Sequence, residues 1–299
     1  MTLTRRHLTR RSLLGAAALL PLVAATSEAA APTSSATPEN TRHDRLVELE
    51  RQYEARLGVY AVHTGTCATV AHRADERFAF CSTFKGLAAA AVLHRNPMSH
   101  LDTLVKYTEA DLMKSSRITR QHVDTGMTIR ELCDAAIRFS DGTAGNLLLR
   151  DLGGPNRLTA YVRGLGDRVT RMDRIEPFIT EATPGDPRDT SSPRALGTTY
   201  RKIVVGNALP SEKRAFIRDL MERNVTGGDR IRAGVEKGWV VADKTGTGDY
   251  GTLNDIGLVW PPNSAPLLIS IMSSKATKDA EYKQALLADA TRYAVETLT

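Results

Sequence analysis

Ser82 and Lys85 stand three residues apart in Ser82-Thr83-Phe84-Lys85, where an apolar stretch that predicts a helix begins. Three residues make about one helical turn, so the lysine is expected to lie over the serine on one helix face. A serine hydroxyl is a poor nucleophile until a neighbouring base takes its proton, and a buried lysine can serve as that base. The pair therefore indicates nucleophilic catalysis, and a capping serine beside a solvated lysine is the alternative.

Two further motifs carry groups that suit an anionic ligand. Ser140-Asp141-Gly142 falls between two predicted helices, and Lys244-Thr245-Gly246-Thr247 falls in a predicted strand. The lysine supplies a positive charge, the threonines supply hydroxyl donors, and glycine in a strand lets a substrate backbone approach closely. Alone, each motif is typical of a turn or an edge strand. In this order along one chain, the motifs favour a common site.

A carboxylate that could join this site lies in Arg174-Ile175-Glu176-Pro177. The surrounding residues 168–193 are polar, rich in proline and without clear periodicity. A loop of that length in a compact domain is usually functional. Arg174 and Asp189 are expected to pair across the neck of this loop. The alternative is a surface loop with an incidental glutamate.

Nucleotide and metal sites find no support in the sequence. Residues 246–251 read Gly-Thr-Gly-Asp-Tyr-Gly, but a dinucleotide-binding loop of that pattern must open a helix, and the residues that follow predict a strand. The cysteines Cys67, Cys81 and Cys133 lack zinc-ligand spacing, and the 7 histidines are scattered. We therefore expect no metal and no organic cofactor.

Composition excludes several classes of protein. With 299 residues, of which 41% are apolar and 25% are charged, the chain is not collagen-like, fully disordered or a polytopic membrane protein. The net charge is +6, and residues 1–31 contribute +3 of it. This weak basic balance and an aromatic content of 5% give no case for nucleic acid as a partner.

Hydrophobic periodicity predicts the elements that must position these motifs. Helices are predicted over 42–57, 82–95, 128–138, 142–152, 193–205, 211–223 and 279–298. The first of them uses the apolar positions Leu46, Leu49, Tyr53 and Leu57. Strands are predicted in a hairpin over 58–71 around Thr64-Gly65, and over 240–247, 252–260 and 267–273.

This order predicts an α+β fold, in which an antiparallel sheet flanked by the terminal helices is joined to a mainly helical domain. The sheet part takes about 42–72 and 225–299, and the helical part takes about 73–224. Because the motifs are drawn from both parts, we expect the active site between them.

The start of the chain predicts an export signal over 1–31. Arg10-Arg11 directly precedes an apolar run over 13–25, which is too short for a bilayer core of about 30 Å. The paired arginines resemble a twin-arginine signal, which implies bacterial export of a folded protein; a disordered basic tail is the alternative. Residues 32–41 predict a linker. We expect a secreted, periplasmic or cell-envelope protein with no membrane attachment after signal removal.

Together, the four motifs resemble those of the class A β-lactamases, members of the penicillin-recognising serine enzymes, and they occur in that family's order across residues 42–299. The resemblance implies that Ser82 is the acylated nucleophile and Lys85 its proton partner. It also implies that Ser140 relays a proton to the departing lactam nitrogen and that Glu176 activates the water that releases the acyl group. Whether Lys85, or Glu176 through a water, takes the Ser82 proton stays open.

The same resemblance implies how substrate is bound. Lys244-Thr245-Gly246-Thr247 would hold the substrate carboxylate, and the backbone N–H groups of Ser82 and Thr247 would form the oxyanion hole. The pair at the loop neck would tie the loop that holds Glu176. The Glu176–Pro177 bond is a candidate for the cis isomer.

Five positions depart from the family's usual pattern or bear on such a departure. Gly142 and Thr180 stand where asparagines usually contact the substrate side chain and the deacylating water. Ser115 stands at a position that is often aromatic and gates the site. Leu253 stands where many members have an arginine, and Arg230 is the alternative supplier, expected to bind the substrate carboxylate in bidentate fashion.

We expect a monomer that hydrolyses penicillins and some cephalosporins through a Ser82 acyl-enzyme, confers β-lactam resistance and needs no partner beyond this small-molecule substrate. A cell-wall D,D-peptidase or penicillin-binding protein would share the serine and lysine motifs but would lack the loop that carries Glu176. A non-catalytic penicillin sensor also stays open, because Gly142 and Thr180 weaken the expected contacts. Turnover of a penicillin separates these functions.

Overall fold

The computed structural model describes residues 43–299, so the predicted export signal over 1–31 and linker over 32–41 lie outside the described residues. Its α-helices are α1 (Asp44–Tyr53), α2 (Phe84–Arg95), α3 (Ile129–Arg138), α4 (Gly142–Leu152), α5 (Pro155–Gly164), α6 (Pro193–Val204), α7 (Ser211–Glu222) and α8 (Ala285–Leu298). Its strands are β1 (Arg56–His63), β2 (Thr69–His72), β3 (Phe78–Ala79), β4 (Leu104–Val105), β5 (Met127–Thr128), β6 (Thr190–Ser191), β7 (Val240–Gly248), β8 (Thr252–Trp260) and β9 (Leu267–Ser274).

Five of these strands form one antiparallel sheet in the order β2-β1-β9-β8-β7. Successive residues of β9 point to opposite faces of the sheet, so Leu268 is buried in one core cluster and Ile269 in the other. Because both faces are covered, β8 and β9 are buried along their whole length except for the last residue of each. The predicted α+β fold with an antiparallel sheet is confirmed.

The terminal helices cover one face of this sheet. Leu46 and Leu49 of α1 and Leu287 of α8 are fully buried in the same cluster as Ile269. On the opposite side of the sheet, α6 packs against β1, β8 and β9. The start and the end of the described chain therefore build one layered unit.

Helix α2 is the buried centre of the helical part. All residues of α2 from Phe84 to Leu93 are buried, and α3, α4, α5 and α7 pack around the helix. A helix that is buried on all sides needs no polar face, which fits its alanine-rich sequence. The 3₁₀ turn Cys81–Thr83, directly before α2, packs against β7. This contact places Ser82 and Lys85 between the helices and the sheet.

The predicted end of the first helix is wrong. The helix ends at Tyr53, and Leu57 lies in β1. Glu54 adopts a left-handed backbone conformation with φ of 51°, and the N–H groups that follow the helix close back on carbonyls of its last turn. The apolar spacing of Leu57 therefore serves the sheet and not the helix.

The predicted start of the closing helix is also wrong, because α8 begins at Ala285 and not at 279. The preceding residues make other hydrogen bonds: the carbonyl of Lys278 accepts from the N–H of Tyr250, and the Gln284 side chain accepts from Arg230. These contacts hold the segment against the turn after β7 and against Arg230. Helix α5 was not predicted.

The substitution Ile271→Ala is expected to lower the free energy of unfolding by about 2–5 kcal/mol, because it opens a cavity between the sheet and the terminal helices. Val225→Ala is the control, since Val225 is 57% exposed and a change there should stay within about 0.5 kcal/mol. Urea denaturation measures both. Equal stability of the two variants would contradict this packing.

Candidate active site

Ser82 and Lys85 meet as their spacing predicts. Ser82 lies in the 3₁₀ turn before α2, and Lys85 lies in the first turn of α2. Lys85 Nζ donates a hydrogen bond to Ser82 Oγ at 2.9 Å, and the lysine side chain is fully buried. The alternative of a solvated lysine beside a capping serine is therefore excluded.

Ser140 lies between the two lysines. Lys85 Nζ donates to the Ser140 carbonyl oxygen at 2.7 Å and lies 3.5 Å from Ser140 Oγ. Lys244 Nζ donates to the same Oγ at 3.1 Å. Burial, together with the positive charge of Lys85, lowers the pKa of Lys244 to about 7. The Ser140 hydroxyl is thus in reach of two amines with which it can exchange a proton.

Asp141 holds Ser140 in place, a role that sequence reasoning missed. Its buried carboxylate accepts hydrogen bonds from the N–H of Ala144, in the first turn of α4, and from the N–H groups of Ile118 and Thr119. An Asp before a predicted helix is an N-cap signal, so the first of these contacts could be found from the sequence. The contacts with 118 and 119 depend on the tertiary fold.

Glu176 reaches the same cluster. Glu176 Oε1 lies 2.5 Å from Lys85 Nζ and 3.3 Å from Ser82 Oγ, and Glu176 Oε2 accepts from Ser115 Oγ at 3.0 Å. Burial works to raise the pKa of this carboxyl, but the charge of Lys85 and these hydrogen bonds hold the pKa below its ordinary value. Glu176 is therefore an ionised carboxylate in a site that is almost closed to water.

Asn146 of α4 fixes the backbone of Glu176. Its Nδ2 donates to the Glu176 carbonyl at 3.0 Å, and its Oδ1 accepts from the Glu176 N–H at 3.0 Å. Sequence reasoning missed Asn146, although it lies four residues after Gly142 and hence about one turn along α4. The Glu176–Pro177 peptide bond is cis.

The neck of the loop is closed by the predicted pair. Arg174 Nε lies 2.6 Å from Asp189 Oδ2, and Asp189 is 1% exposed. The same carboxylate accepts from the N–H groups of Asp173 and Arg174. Because three donors converge on one buried carboxylate, the ends of the loop are tied together.

Thr180 and Gly142 stand at the two positions where the family usually has asparagine, and neither residue contacts the Glu176 carboxylate through a side-chain hydrogen bond. The Thr180 hydroxyl donates to the carbonyl of Pro177 at 2.7 Å, so its hydrogen is used inside the loop. In the described part of the chain, Ser115 makes the side-chain contact to Glu176 that Thr180 does not make. Gly142 is the first residue of α4 and is buried directly beside Glu176.

Arg230 does not have the free guanidinium that a bidentate contact needs. It is 5% exposed, and four of its five N–H groups already donate within the protein. Their acceptors are Gln284 Oε1, Gly246 O, Asn254 O and Thr247 Oγ1. The expectation of a bidentate contact with substrate is therefore wrong, and Arg230 orients Thr247 and the end of β7 instead.

The described residues, 43–299, bear on two kinds of cofactor site. In this part of the chain no group of three or more His, Cys, Asp or Glu side chains is placed to hold a metal ion. Residues 246–251 form the end of β7 and the turn into β8, so they lead into a strand and do not open a helix as a dinucleotide-binding loop must. The dinucleotide-binding interpretation of this glycine pattern is thereby excluded.

Comparisons with known proteins agree in family and fold. A model of the β-lactamase enzyme family matches residues 41–298. The chain is 53% identical over 291 residues to a β-lactamase of Mycobacterium tuberculosis (94% of this chain, 95% of the relative). It is 54% identical over 269 residues to a β-lactamase of Amycolatopsis lactamdurans (90% and 89%). The crystal structure of a class A β-lactamase from Clostridium kluyveri is similar, with 48% identity and a TM-score of 0.84 over 85% of this chain and 97% of that one.

The substitution Asp189→Ala is expected to lower the free energy of unfolding by about 3 kcal/mol, because the half-buried Arg174 guanidinium and two N–H groups lose their acceptor. Arg188→Ala is the control on the same loop, since the Arg188 side chain is 51% exposed and its ion pair is worth at most about 1 kcal/mol. Urea denaturation of both variants provides the comparison. A loss no larger than that of the control would contradict a tied loop.

Proposed function

The chain belongs to the class A β-lactamase family, whose reaction is hydrolysis of the β-lactam amide bond, and we propose that Ser82, Lys85, Ser140 and Glu176 carry out this reaction on penicillins and some cephalosporins. The observation that carries the proposal is that Ser82 Oγ, Lys85 Nζ and Glu176 Oε1 lie within 3.3 Å of one another. A nucleophile, a cation and a carboxylate at this distance suit formation and hydrolysis of an acyl-enzyme.

Acylation begins when Ser82 loses its proton. Lys85 donates to Ser82 Oγ and is ion-paired with Glu176, so its ammonium has no lone pair with which to accept that proton. The Glu176 carboxylate, 3.3 Å from Ser82 Oγ, is the acceptor that this arrangement favours. The oxygen then attacks the lactam carbonyl carbon and forms a tetrahedral intermediate.

Two backbone N–H groups, those of Ser82 and Thr247, are proposed to bind the negative oxygen of this intermediate. Each such donor contributes about 3 kcal/mol of transition-state stabilisation. As the C–N bond breaks, the lactam nitrogen takes a proton from Ser140 Oγ. Lys85 Nζ, 3.5 Å from that oxygen and 2.5 Å from Glu176 Oε1, can resupply this proton and take from Glu176 the proton that came from Ser82. Glu176 is then a carboxylate again before deacylation. Lys244 Nζ, 3.1 Å from Ser140 Oγ, is the second amine within reach of that hydroxyl.

Deacylation requires a water between Glu176 and the new ester. The carboxylate takes a proton from this water, the resulting hydroxide attacks the ester carbonyl, and Ser82 leaves with a proton returned through Lys85 or Glu176. Anchoring of Glu176 by Asn146 and by the Arg174–Asp189 pair supports this role. A penicillin-binding protein or a sensor would stop at the acyl-enzyme, and a carboxylate held in this way argues against both.

The substrate carboxylate is proposed to bind at Lys244-Thr245-Gly246-Thr247. The buried Lys244 ammonium provides the charge and the threonine hydroxyls provide directed donors. Arg230 acts indirectly, through Thr247. Its Nη2 donates to Thr247 Oγ1 at 2.9 Å, so the Thr247 hydroxyl hydrogen is free to point at the substrate carboxylate. The reaction needs no metal and no organic cofactor in this proposal.

Export through the cell envelope and a monomeric state complete the proposal. Arg10-Arg11 and the apolar run after them support a twin-arginine signal, and secretion would place the enzyme where it confers β-lactam resistance. In residues 43–299, no helix combines the length and apolarity that a membrane span requires. Fractionation of cells that carry the Arg10→Lys, Arg11→Lys variant tests the route, since activity outside the cytoplasm should be lost.

Glu176→Ala is expected to accumulate an acyl-enzyme with benzylpenicillin, because deacylation loses its base, whereas Lys85, without its ion-pair partner, can take the Ser82 proton in acylation. Mass spectrometry of the intact protein would show Ser82 carrying the added mass of the penicillin. Glu181→Gln, on the same loop with its side chain 46% exposed, is the control and should turn over without accumulation. Acyl-enzyme release from Glu176→Ala at the wild-type rate would overturn the role given to Glu176.

The pKa of Lys244, lowered to about 7, predicts a basic limb in kcat/KM for penicillins. Lys244 is charged below this pH and neutral above it, so attraction of the substrate carboxylate is lost as the pH rises through about 7. A guanidinium stays charged at all accessible pH values, so Lys244→Arg should move this limb to higher pH. A limb at the same pH in both proteins would assign it to another group.

A further inference from the structure

Ser115 makes a contact to Glu176 that the proposed reaction does not yet use. Its Oγ donates to Glu176 Oε2 at 3.0 Å, whereas Lys85 and Ser82 both contact Oε1. The two carboxylate oxygens are therefore held from different sides. With only the Oε1 contacts, the carboxylate could rotate about its last side-chain bond, since such terminal torsions are broad.

The segment that carries Ser115 is itself fixed. Ser116 Oγ lies 2.7 Å from Thr143 Oγ1 of α4, and the N–H of Ile118 donates to the buried Asp141 carboxylate at 2.9 Å. Asp141 and Thr143 are the residues on either side of Gly142. The start of α4 therefore fixes the segment 115–118 at two points, one before and one after this glycine. Ser115 is thus placed by the same turn that places Ser140.

Gly142 provides the space in which the contact forms. A Cβ atom at position 142 would lie 2.2 Å from Glu176 Oε2 and 2.3 Å from Ser115 Oγ. Both distances are far below van der Waals contact, so one of the two groups would have to move. The Ser115 hydroxyl and the Glu176 carboxylate therefore occupy the space that a side chain at position 142 would fill.

We propose that Ser115 and Gly142 act together to position Glu176 for deacylation: Gly142 leaves the space, and the Ser115 hydroxyl fixes the carboxylate plane through Oε2. Ser115 is a positioning residue, because it acts through Glu176. This inference rests on the proposed role of Glu176 as the base for deacylation. Ser115 and Gly142 both depart from the family pattern, and the one hydrogen bond from Ser115 to Glu176 accounts for both. A bulkier residue at either position would break this hydrogen bond.

The kinetic signature of this role is specific. In an acyl-enzyme reaction, kcat/KM contains only binding and acylation, whereas the decay of the acyl-enzyme reports deacylation alone. A hydrogen bond to a charged group is worth about ten-fold or more in an equilibrium or rate. Ser115→Ala should therefore slow acyl-enzyme decay about ten-fold. Acylation uses Glu176 Oε1, which Lys85 and Ser82 still contact in this variant, whereas an acylated Ser82 no longer donates to Oε1. The fall in kcat/KM for benzylpenicillin should therefore be much smaller than the fall in the decay rate.

The pH profile gives a second readout that a merely structural role would not change. The Ser115 hydrogen bond stabilises the ionised form of Glu176. Its loss raises the pKa of Glu176, so the acid limb of acyl-enzyme decay should move to higher pH in Ser115→Ala. Ser264→Ala, whose hydroxyl lies 3.0 Å from His63 Nε2, is the matched control and should change neither readout.

Gly142→Ala tests the space itself. The added methyl group should separate Ser115 from Glu176 and slow acyl-enzyme decay, and the double variant with Ser115→Ala should be less impaired than the product of the two single effects, because the contact can be lost only once. Thermal unfolding of each variant shows that it is folded. Independent, multiplicative effects would contradict a joint role.

Glu176→Ala measured alongside separates the two levels of the proposal. If Glu176→Ala accumulates the acyl-enzyme but Ser115→Ala decays at the wild-type rate, or loses kcat/KM instead, the positioning role of Ser115 is wrong and the role of Glu176 stands. If Glu176→Ala also releases the acyl group normally, the proposed function itself is wrong. Slow decay in both variants supports both.

Discussion

The buried ion pair between Lys85 and Glu176 is the interaction on which the rest of the structure depends. Its atoms lie 2.5 Å apart, and both side chains are almost wholly removed from water. Removing two charges from water costs several kcal/mol for each ion, which only close geometry and further hydrogen bonds can offset. Ser82, Ser140 and Ser115 supply those hydrogen bonds. The serines of the active site therefore also offset the cost of burying the ion pair.

The scaffold brings the two charges together from different parts of the chain. Lys85 stands on α2, a helix buried on all sides, whereas Glu176 stands on a loop with little regular structure. The loop can hold a buried carboxylate only because Asn146 binds its backbone and Asp189 ties its neck. A buried pair of this kind is weak support for stability, so its presence is best explained by the chemistry it prepares.

Local periodicity predicted the elements well, because buried helices and strands repeat at fixed intervals. The proximity of Ser82 to Lys85 followed from one helical turn, and the α+β order followed from strand and helix patterns. Leu57 was misplaced because a single left-handed residue, Glu54, ended the helix early. The contacts of Arg230 could not be predicted, because its acceptors are two backbone carbonyls and two side chains that only the tertiary fold brings near. Spacing along the chain carries no information about such partners.

The most direct test of the account is a crystal structure of the acyl-enzyme formed with a slowly released β-lactam. We predict an ester on Ser82 Oγ and one ordered water that donates to the Glu176 carboxylate and lies about 3–3.5 Å from the ester carbonyl carbon. A Glu176 side chain turned toward bulk solvent, or an ester with no room for a water beside that carboxylate, would contradict the hydrolytic role of the buried pair.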